Sequence, residues 1–183
     1  NNLKRSAALF LVKTIFSFLL SLIFMSIPSN YPIVPIQFSL IGSLFIGIPS
    51  FVLALQPNRE RLSGNFLGDI LVSAIPGAMS AVLLVSSISI FEPLFGFTQG
   101  QTSTLSMITL GLSFMFVLLK VCLPMNWLRA TLFVVMSALF VLSVLILPEL
   151  LYLTSITPKM LVVAAGAVLL IWPLNYVFAK IAN

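Results

Sequence analysis

A polar face near the start of the chain has the residue types and spacing best suited to chemistry. Lys13, Thr14, Ser17 and Ser21 recur at intervals of three and four, so a helix carries them on one side. Inside a membrane, a charged side chain normally faces a cavity or a partner. The flexible stem of a lysine also allows its ammonium group to reach the lipid headgroups. We therefore predict that this face either lines an ion pathway or carries a lysine that extends to the interface.

The next apolar segment is interrupted by glycine and proline. Pro49 has no N–H group and cannot donate to the carbonyl oxygen of Phe45, which must find another donor or a cation. Unwound carbonyl groups of this kind bind ions in transporters, whereas in many membrane helices a proline is only a structural kink. Both interpretations stay open from the residues alone. The candidate ion-pathway residues of this segment are Gly42, Ser43, Phe45, Ile46, Gly47 and Pro49.

A charged connection follows directly on the interrupted segment. It is either an ordinary solvated loop or a coupling loop that transmits movement between a cytoplasmic domain and the membrane. Its residues are Gln56, Pro57, Asn58, Arg59, Glu60 and Arg61.

The composition indicates that these elements lie in a membrane. Hydrophobic residues make up 60% of the 183 residues and charged residues 7%, with a mean hydropathy of +1.20. This leaves too little polar material to cover a water-soluble globule. With one cysteine, Cys122, and no histidine, a disulfide framework, a thiolate cluster and most hydrolase mechanisms are excluded.

Six apolar segments are long enough to cross a bilayer, and in hydrocarbon such segments form helices. We predict an all-α integral membrane protein, a bundle of six transmembrane helices that forms a single domain over residues 1–183 with no soluble domain. The predicted helices are 7–27, 33–55, 70–91, 105–123, 130–147 and 160–179.

The basic residues predict the orientation of the bundle, because lysine and arginine accumulate in cytoplasmic loops. Of the nine basic residues, only Lys159 falls on the other side of the predicted bundle. Both termini should therefore be cytoplasmic. The net charge of +5 follows from this topology and does not indicate nucleic-acid binding.

A second polar stripe begins the fourth predicted helix. Thr102, Ser106, Thr109 and Ser113 share one helical face, and we predict that these hydroxyl groups serve helix packing. The segment 97–106, rich in serine, threonine, glutamine and glycine, is predicted to be an external loop.

Four short motifs give the chain a family resemblance. In order, they are Asn1-Asn2-Leu3-Lys4 entering a helix, Pro35-Ile36-Gln37, Gly47-Ile48-Pro49 and Gln56-Pro57-Asn58. Their order and spacing resemble the carboxy-terminal membrane half of P-type ATPases, within a bacterial cation-transporting branch. The resemblance implies that the six helices are the fifth to tenth of ten in a longer protein. It also implies ATP and Mg²⁺ as cofactors of a cytoplasmic phosphorylation domain that these residues do not include, so this chain alone should not be catalytic.

The resemblance has one departure in its ion site. Calcium and sodium pumps of the family carry an aspartate where Ile46 stands, and the calcium pumps carry a glutamate where Ser17 stands. The chain's four carboxylates, Glu60, Asp69, Glu92 and Glu149, all fall near predicted loops. Either fewer ions are bound, through carbonyl and hydroxyl oxygens, or another species is transported, or Lys13 supplies an internal countercharge.

The function predicted from these features is part of the cation pathway and the supporting helices of an ion pump in the bacterial plasma membrane. Calcium or another metal cation is the expected cargo, and no metal ligand can be named. Its expected partners are the lipid bilayer, the preceding membrane helices, the phosphorylation domain and the transported cation. The alternative is a six-helix substrate-binding subunit of a vitamin-type uptake transporter, which would match the length and also lack catalytic residues.

Overall fold

A computed structural model describes residues 2–57 and 64–182 of the chain. Asn58, Arg59, Glu60 and Arg61, four of the predicted coupling-loop residues, lie outside the described residues. Within them the secondary structure is helical, with six long helices and one short helical turn, Glu92–Phe95. The long helices are α1 (Asn2–Ser26), α2 (Pro35–Ala54), α3 (Phe66–Ile90), α4 (Gln99–Cys122), α5 (Trp127–Ile146) and α6 (Pro158–Ala182).

All six helices are long and apolar enough to cross a membrane. The prediction of an all-helical bundle with six membrane-spanning helices is therefore confirmed for the described part of the chain. The chain is a multi-pass membrane protein.

The helices differ in length from the predicted segments, most clearly at α1 and α4. α1 begins at Asn2 instead of residue 7, and α4 begins at Gln99 instead of residue 105. The prediction of an external loop over 97–106 is wrong from Gln99 onward. Thr98 and Gln101 explain the early start of α4, because each side chain accepts a hydrogen bond from the backbone N–H of the other.

α3 and α4 form the centre of the bundle. α3 packs against α1, α4 and α6, while α4 also contacts α5 and α2. More than half of the apolar stretch of α3 and of α4 is buried, whereas α5 and α6 expose most of theirs. This distribution is expected when the peripheral helices face lipid.

An aromatic cluster ties the first two helices to this centre. The side chain of Phe16 on α1 is fully buried, and its ring lies 5.8 Å from that of Phe38 on α2 and 5.6 Å from that of Phe114 on α4. Such offset and edge contacts add to the stabilisation from burial. α1 and α2 are therefore held as a pair against α4.

Candidate functional site

The middle of α2 contains a π-helical turn. The helix is α-helical over Pro35–Gly42, π-helical over Ser43–Gly47 and α-helical again over Ile48–Ala54. The N–H group of Ile48 donates to the carbonyl oxygen of Ser43, five residues back. Pro49 follows immediately and has no N–H group to donate to the carbonyl oxygen of Phe45. The helix therefore widens by one residue at this point. The interruption expected from the sequence is thus a widened turn, a feature often found at functional sites.

A pair of serines fixes α2 to α1 on the side of this turn that is predicted to face the cytoplasm. The Ser6 hydroxyl group donates to the carbonyl oxygen of Ser50 at 2.8 Å, and the Ser50 hydroxyl group approaches the carbonyl oxygen of Ser6 at 3.5 Å. Both side chains are buried. Reciprocal bonds of this kind hold two helices at one register.

Gln37 fixes the opposite end of α2. Its side chain is 0% exposed, and its amide nitrogen donates to the Ser103 hydroxyl group at 3.2 Å and to the carbonyl oxygen of Leu151 at 2.9 Å. Its amide oxygen accepts from the backbone N–H of Val34 at 3.1 Å. The sequence predicted no contact for Gln37, which served only as part of a family motif, although a lone glutamine in an apolar segment was the available signal. α2 is thus anchored on both sides of its π turn.

Lys13 points toward α2. Because α1 starts at Asn2 and not at residue 7, the predicted start, Lys13 lies about 16 Å along the helix at about 1.5 Å per residue. Its Nζ atom is 5.1 Å from the centre of the Phe38 ring, and a Cβ atom built on Gly42 would lie 2.8 Å from Nζ. The ammonium group therefore rests against the backbone of α2 over an aromatic ring, away from the helix end.

The other predicted residues of α1 have different surroundings. Thr14 is exposed, and its hydroxyl group donates to the carbonyl oxygen of Phe10 in its own helix at 3.0 Å. Ser17 is half-buried and Ser21 is exposed. Burial raises the pKa of Tyr31, in the connection after α1, while a hydrogen bond with Ser21 acts in the opposite direction. The structure thus brings Lys13 to α2, but it does not gather all four polar residues at one point.

The predicted residues of α2 divide between the core and the surface. The buried ones are Gly42, Phe45, Ile46 and Pro49, whereas Ser43 is exposed and Gly47 is half-buried. The Phe45 ring lies 5.4 Å from the ring of Phe140 on α5. The π turn therefore has one side packed into the bundle and another open at its surface.

A hydrogen-bond network joins three segments at the end of the bundle where α1 starts. The Arg129 guanidinium donates to the side-chain oxygens of Gln56 at 3.2 Å and Asn2 at 3.0 Å, and to the carbonyl oxygen of Pro124 at 3.0 Å. The Asn2 amide donates to the carbonyl oxygen of Gln56 at 3.2 Å. Gln56, a predicted coupling-loop residue, is thus tied to the start of α1. Sequence reasoning missed this contact because Asn2 and Arg129 are far apart in the chain.

Replacing Arg129 with Gln should destabilise this end of the bundle. The change removes several charge-assisted hydrogen bonds and leaves partly buried acceptors unpaired, so we expect a loss of about 1–3 kcal/mol in the free energy of unfolding. Denaturant unfolding in detergent measures it. Lys180→Gln, which removes an exposed charge near the end of α6, is the control and should change stability by less than about 0.5 kcal/mol. Equal losses in both variants would contradict a structural role for the network.

The hydroxyl stripe of α4 is fully buried. Ser113 donates to the carbonyl oxygen of Thr109 at 2.8 Å, whereas the hydroxyl groups of Thr102, Ser106 and Thr109 have no hydrogen-bond partner within the described residues. Burying such a group unpaired costs about 1–3 kcal/mol. The stripe therefore lies in the packed interior of the bundle.

These features define a multi-pass membrane protein with a distorted, doubly anchored helix beside the lysine of a neighbouring membrane-spanning helix. No family model matches the chain, and no solved structure matches it. The chain is 31% identical over 142 residues to the probable cation-transporting ATPase exp7 of Streptococcus pneumoniae, covering 73% of the chain and 18% of that protein. It is 31% identical over 185 positions to the calcium-transporting ATPase CtpE of Mycolicibacterium smegmatis, covering 90% and 23% respectively. For the same protein of Mycobacterium bovis the values are 32% over 145 residues, 72% and 18%.

These similarities confirm the resemblance drawn from the residues. The chain is related to the cation-transporting P-type ATPases. The extent of these matches is consistent with the chain being a fragment of their membrane domain. It spans about a fifth of the length of the curated relatives it matches. The alternative of a vitamin-type binding subunit is not favoured by these relatives.

Proposed function

We propose that the chain forms part of the cation pathway, together with the supporting helices, of an ATP-driven P-type pump. The pump would lie in a bacterial plasma membrane with both ends of this chain in the cytoplasm. ATP and Mg²⁺ would act on a phosphorylation domain that these 183 residues do not contain. The relatives are named as calcium- or cation-transporting ATPases, so a metal cation is the proposed cargo and calcium the first candidate.

The observation that carries this proposal is the π turn of α2 beside Lys13. A helix that widens in the middle of a membrane segment changes the hydrogen bonding of its carbonyl groups, and oxygens of this type bind cations in transporters. We assign the carbonyl oxygens of Phe45, Ile46 and Gly47 as candidate ligands at the π turn. Ser17 lies further along the helix pair, next to the level of Phe38, because Ser6 meets Ser50 and Phe16 meets Phe38. Its hydroxyl group is therefore a candidate ligand at a second position of the same pathway. The exposed surface at Ser43 is where helices outside this chain would complete the site.

The scarcity of carboxylates limits how the cation is held. Calcium takes about six to eight oxygen ligands, and neutral oxygens can supply many of them. Ile46 and Ser17 stand where calcium pumps of the family carry carboxylates. This chain would therefore contribute carbonyl and hydroxyl oxygens, and charged ligands would come from preceding helices. In this arrangement the Lys13 ammonium group acts as an internal countercharge that opposes the bound cation.

The anchors of α2 suggest how movement reaches this site. Gln37 holds one end of the helix, and Ser50 with Gln56 holds the other. Displacement of the start of α1 or of the coupling loop would therefore be transmitted to the π turn. The proposed coupling residues are Gln56 and Pro57, together with Asn58, Arg59, Glu60 and Arg61.

Transport by the full-length protein tests the proposal. Inside-out vesicles should accumulate the cation only when ATP and Mg²⁺ are added, with calcium as the first cation tried. Ser17→Ala should weaken the apparent affinity about tenfold, equivalent to the loss of about 1.4 kcal/mol of binding. Ser143→Ala is the control, because the hydroxyl group of this half-buried residue on α5 donates to the carbonyl oxygen of Leu139 in its own helix.

This experiment tests the transport function and the role of Ser17 separately. Absence of ATP-driven uptake of any metal cation by the wild-type protein would contradict the function. Uptake with unchanged affinity in Ser17→Ala would remove Ser17 from the site while leaving the function intact.

A further inference from the structure

A polar cavity lies at the end of the bundle opposite the Arg129 network. It has a volume of about 630 Å³ and lies between the connection after α1 and the turn that follows α3. Its polar lining comprises Ser29, Asn30, Ser89, Glu92 and Gln99. We propose that this cavity binds a divalent metal cation. The site shares no residue with the proposed α1–α2 pathway and does not depend on the transport function.

The helix ends around the cavity favour a cation. α1 ends at Ser26 and α3 ends at Ile90, and residues at or next to both ends line the cavity. The carboxyl end of a helix carries a partial negative charge, because its last carbonyl groups have no donor within the helix. Two such ends therefore meet at one cavity. The opposing amino end of α4 has one of its N–H groups, that of Gln101, capped by the Thr98 hydroxyl group.

Glu92 adds a full negative charge to the cavity. Its side chain is half-buried and has no ion-pair or hydrogen-bond partner in the part of the chain that the structure describes. Among the described residues, no lysine or arginine lines the cavity. Lys159, the basic residue predicted on this side of the bundle, donates to the carbonyl oxygen of Phe95 instead. The Glu92 carboxylate is therefore available to a cation.

Neutral oxygen atoms near Glu92 complete a set of ligands that suits a hard cation. The Asn30 amide nitrogen donates to the amide oxygen of Gln99 at 3.1 Å, which leaves the Asn30 amide oxygen available. Ser89 is 3% exposed, and its hydroxyl group has no hydrogen-bond partner within residues 2–57 and 64–182. A buried hydroxyl group of this kind calls for a polar partner. Calcium and similar cations bind carboxylate, amide and water oxygens together, and a water ligand of the cation would be that partner.

The ligand set predicts weak binding. The number of charged ligands sets the affinity of a calcium site, and extracellular calcium sites have dissociation constants of about 0.1–1 mM. With one carboxylate, this cavity should fall in the same range. A site of this affinity is filled only where the cation is abundant. That fits the position of the cavity on the side predicted to lie outside the cell.

Binding of Tb³⁺, a luminescent ion that occupies calcium sites, tests this proposal in the full-length protein. The luminescence lifetime of Tb³⁺ lengthens when protein oxygens replace its water ligands, so a titration in detergent measures the bound ion. Calcium should displace Tb³⁺ from this site. Glu92→Gln should weaken Tb³⁺ binding at least about tenfold, because it removes the charged ligand. Glu92→Asp should keep most of the affinity.

A second carboxylate provides the matched control. Glu149→Gln removes an exposed carboxylate from the connection between α5 and α6 and should leave Tb³⁺ binding unchanged. Equal losses in Glu92→Gln and Glu149→Gln would overturn the proposal, because they would indicate general surface charge. Full Tb³⁺ binding in Glu92→Gln would overturn it as well. Binding is measured without ATP, so a failure of ATP-driven uptake would contradict the pump function and leave this result standing.

Discussion

Replacing Lys13 with Met in the full-length protein is expected to raise the apparent affinity for the transported cation at least about tenfold and to slow turnover. At an effective dielectric constant of about 20, a unit charge roughly 8 Å from a divalent cation opposes its binding by about 4 kcal/mol. About 1.4 kcal/mol of that suffices for a tenfold change. Turnover should slow because the more tightly held cation is released less readily. Cation-dependent ATP hydrolysis and uptake measure both effects.

Two substitutions separate this effect from a change in packing. Lys13→Arg keeps the positive charge next to Gly42 and Phe38, so its cation affinity should stay close to that of the wild type. Lys180→Met removes a distant exposed charge and should have no effect. Unchanged or weaker affinity in Lys13→Met would contradict the assignment of this ammonium group as a countercharge.

Replacing Gly111 with Leu is expected to prevent the bundle from packing correctly. The ring of Phe140 on α5 lies directly on this glycine of α4, and a Cβ atom built there would be 2.1 Å from the Phe140 Cζ atom. Even Gly111→Ala should cost about 1–3 kcal/mol through overpacking. The larger leucine would separate α4 from α5. Denaturant unfolding of the alanine variant, and the yield of folded protein for the leucine variant, measure these effects.

The position of Phe140 connects this packing site to the proposed pathway. Its ring also contacts Phe45 in the π turn, at 5.4 Å between ring centres. Pushing Phe140 away from α4 should therefore disturb cation affinity as well as stability. Adding Phe140→Leu to Gly111→Ala should recover part of the loss, because residues in contact show coupled effects.

Gly166→Ala is the matched control for this substitution. No atom lies within 4 Å of a Cβ atom built on Gly166, within the described structure, so alanine should be neutral or slightly stabilising in α6. Equal destabilisation by Gly111→Ala and Gly166→Ala would show that close packing at Gly111 is not the cause.

Membrane physics explains why the helices could be predicted from the sequence. A segment in hydrocarbon must satisfy its backbone hydrogen bonds internally, so apolar length alone predicts each helix. The same rule failed at the start of α4, because Ser103 and Ser106 are polar by type but buried in the structure. Their hydroxyl groups pack between helices, and hydropathy does not distinguish a buried hydroxyl group from one in a loop.

The site was only partly predictable. The absence of an N–H group at Pro49 is a local property, so an interruption of α2 could be located without a structure. The direction of Lys13 depends on where α1 starts and on the space beside Gly42, which no local pattern contains. The contacts of Arg129 with Asn2 and Gln56 join positions that meet only after the helices have packed.

The most direct test of the proposed pathway is the position of a bound cation in an experimental structure of the full-length protein. A transported cation that scatters anomalously would be located by its anomalous difference density, or calcium by high-resolution cryo-electron microscopy. We expect density between Ser17 of α1 and the Ser43–Gly47 turn of α2, within about 2.3–2.6 Å of carbonyl or hydroxyl oxygens for calcium. Cation density that contacts neither α1 nor α2 would contradict the account.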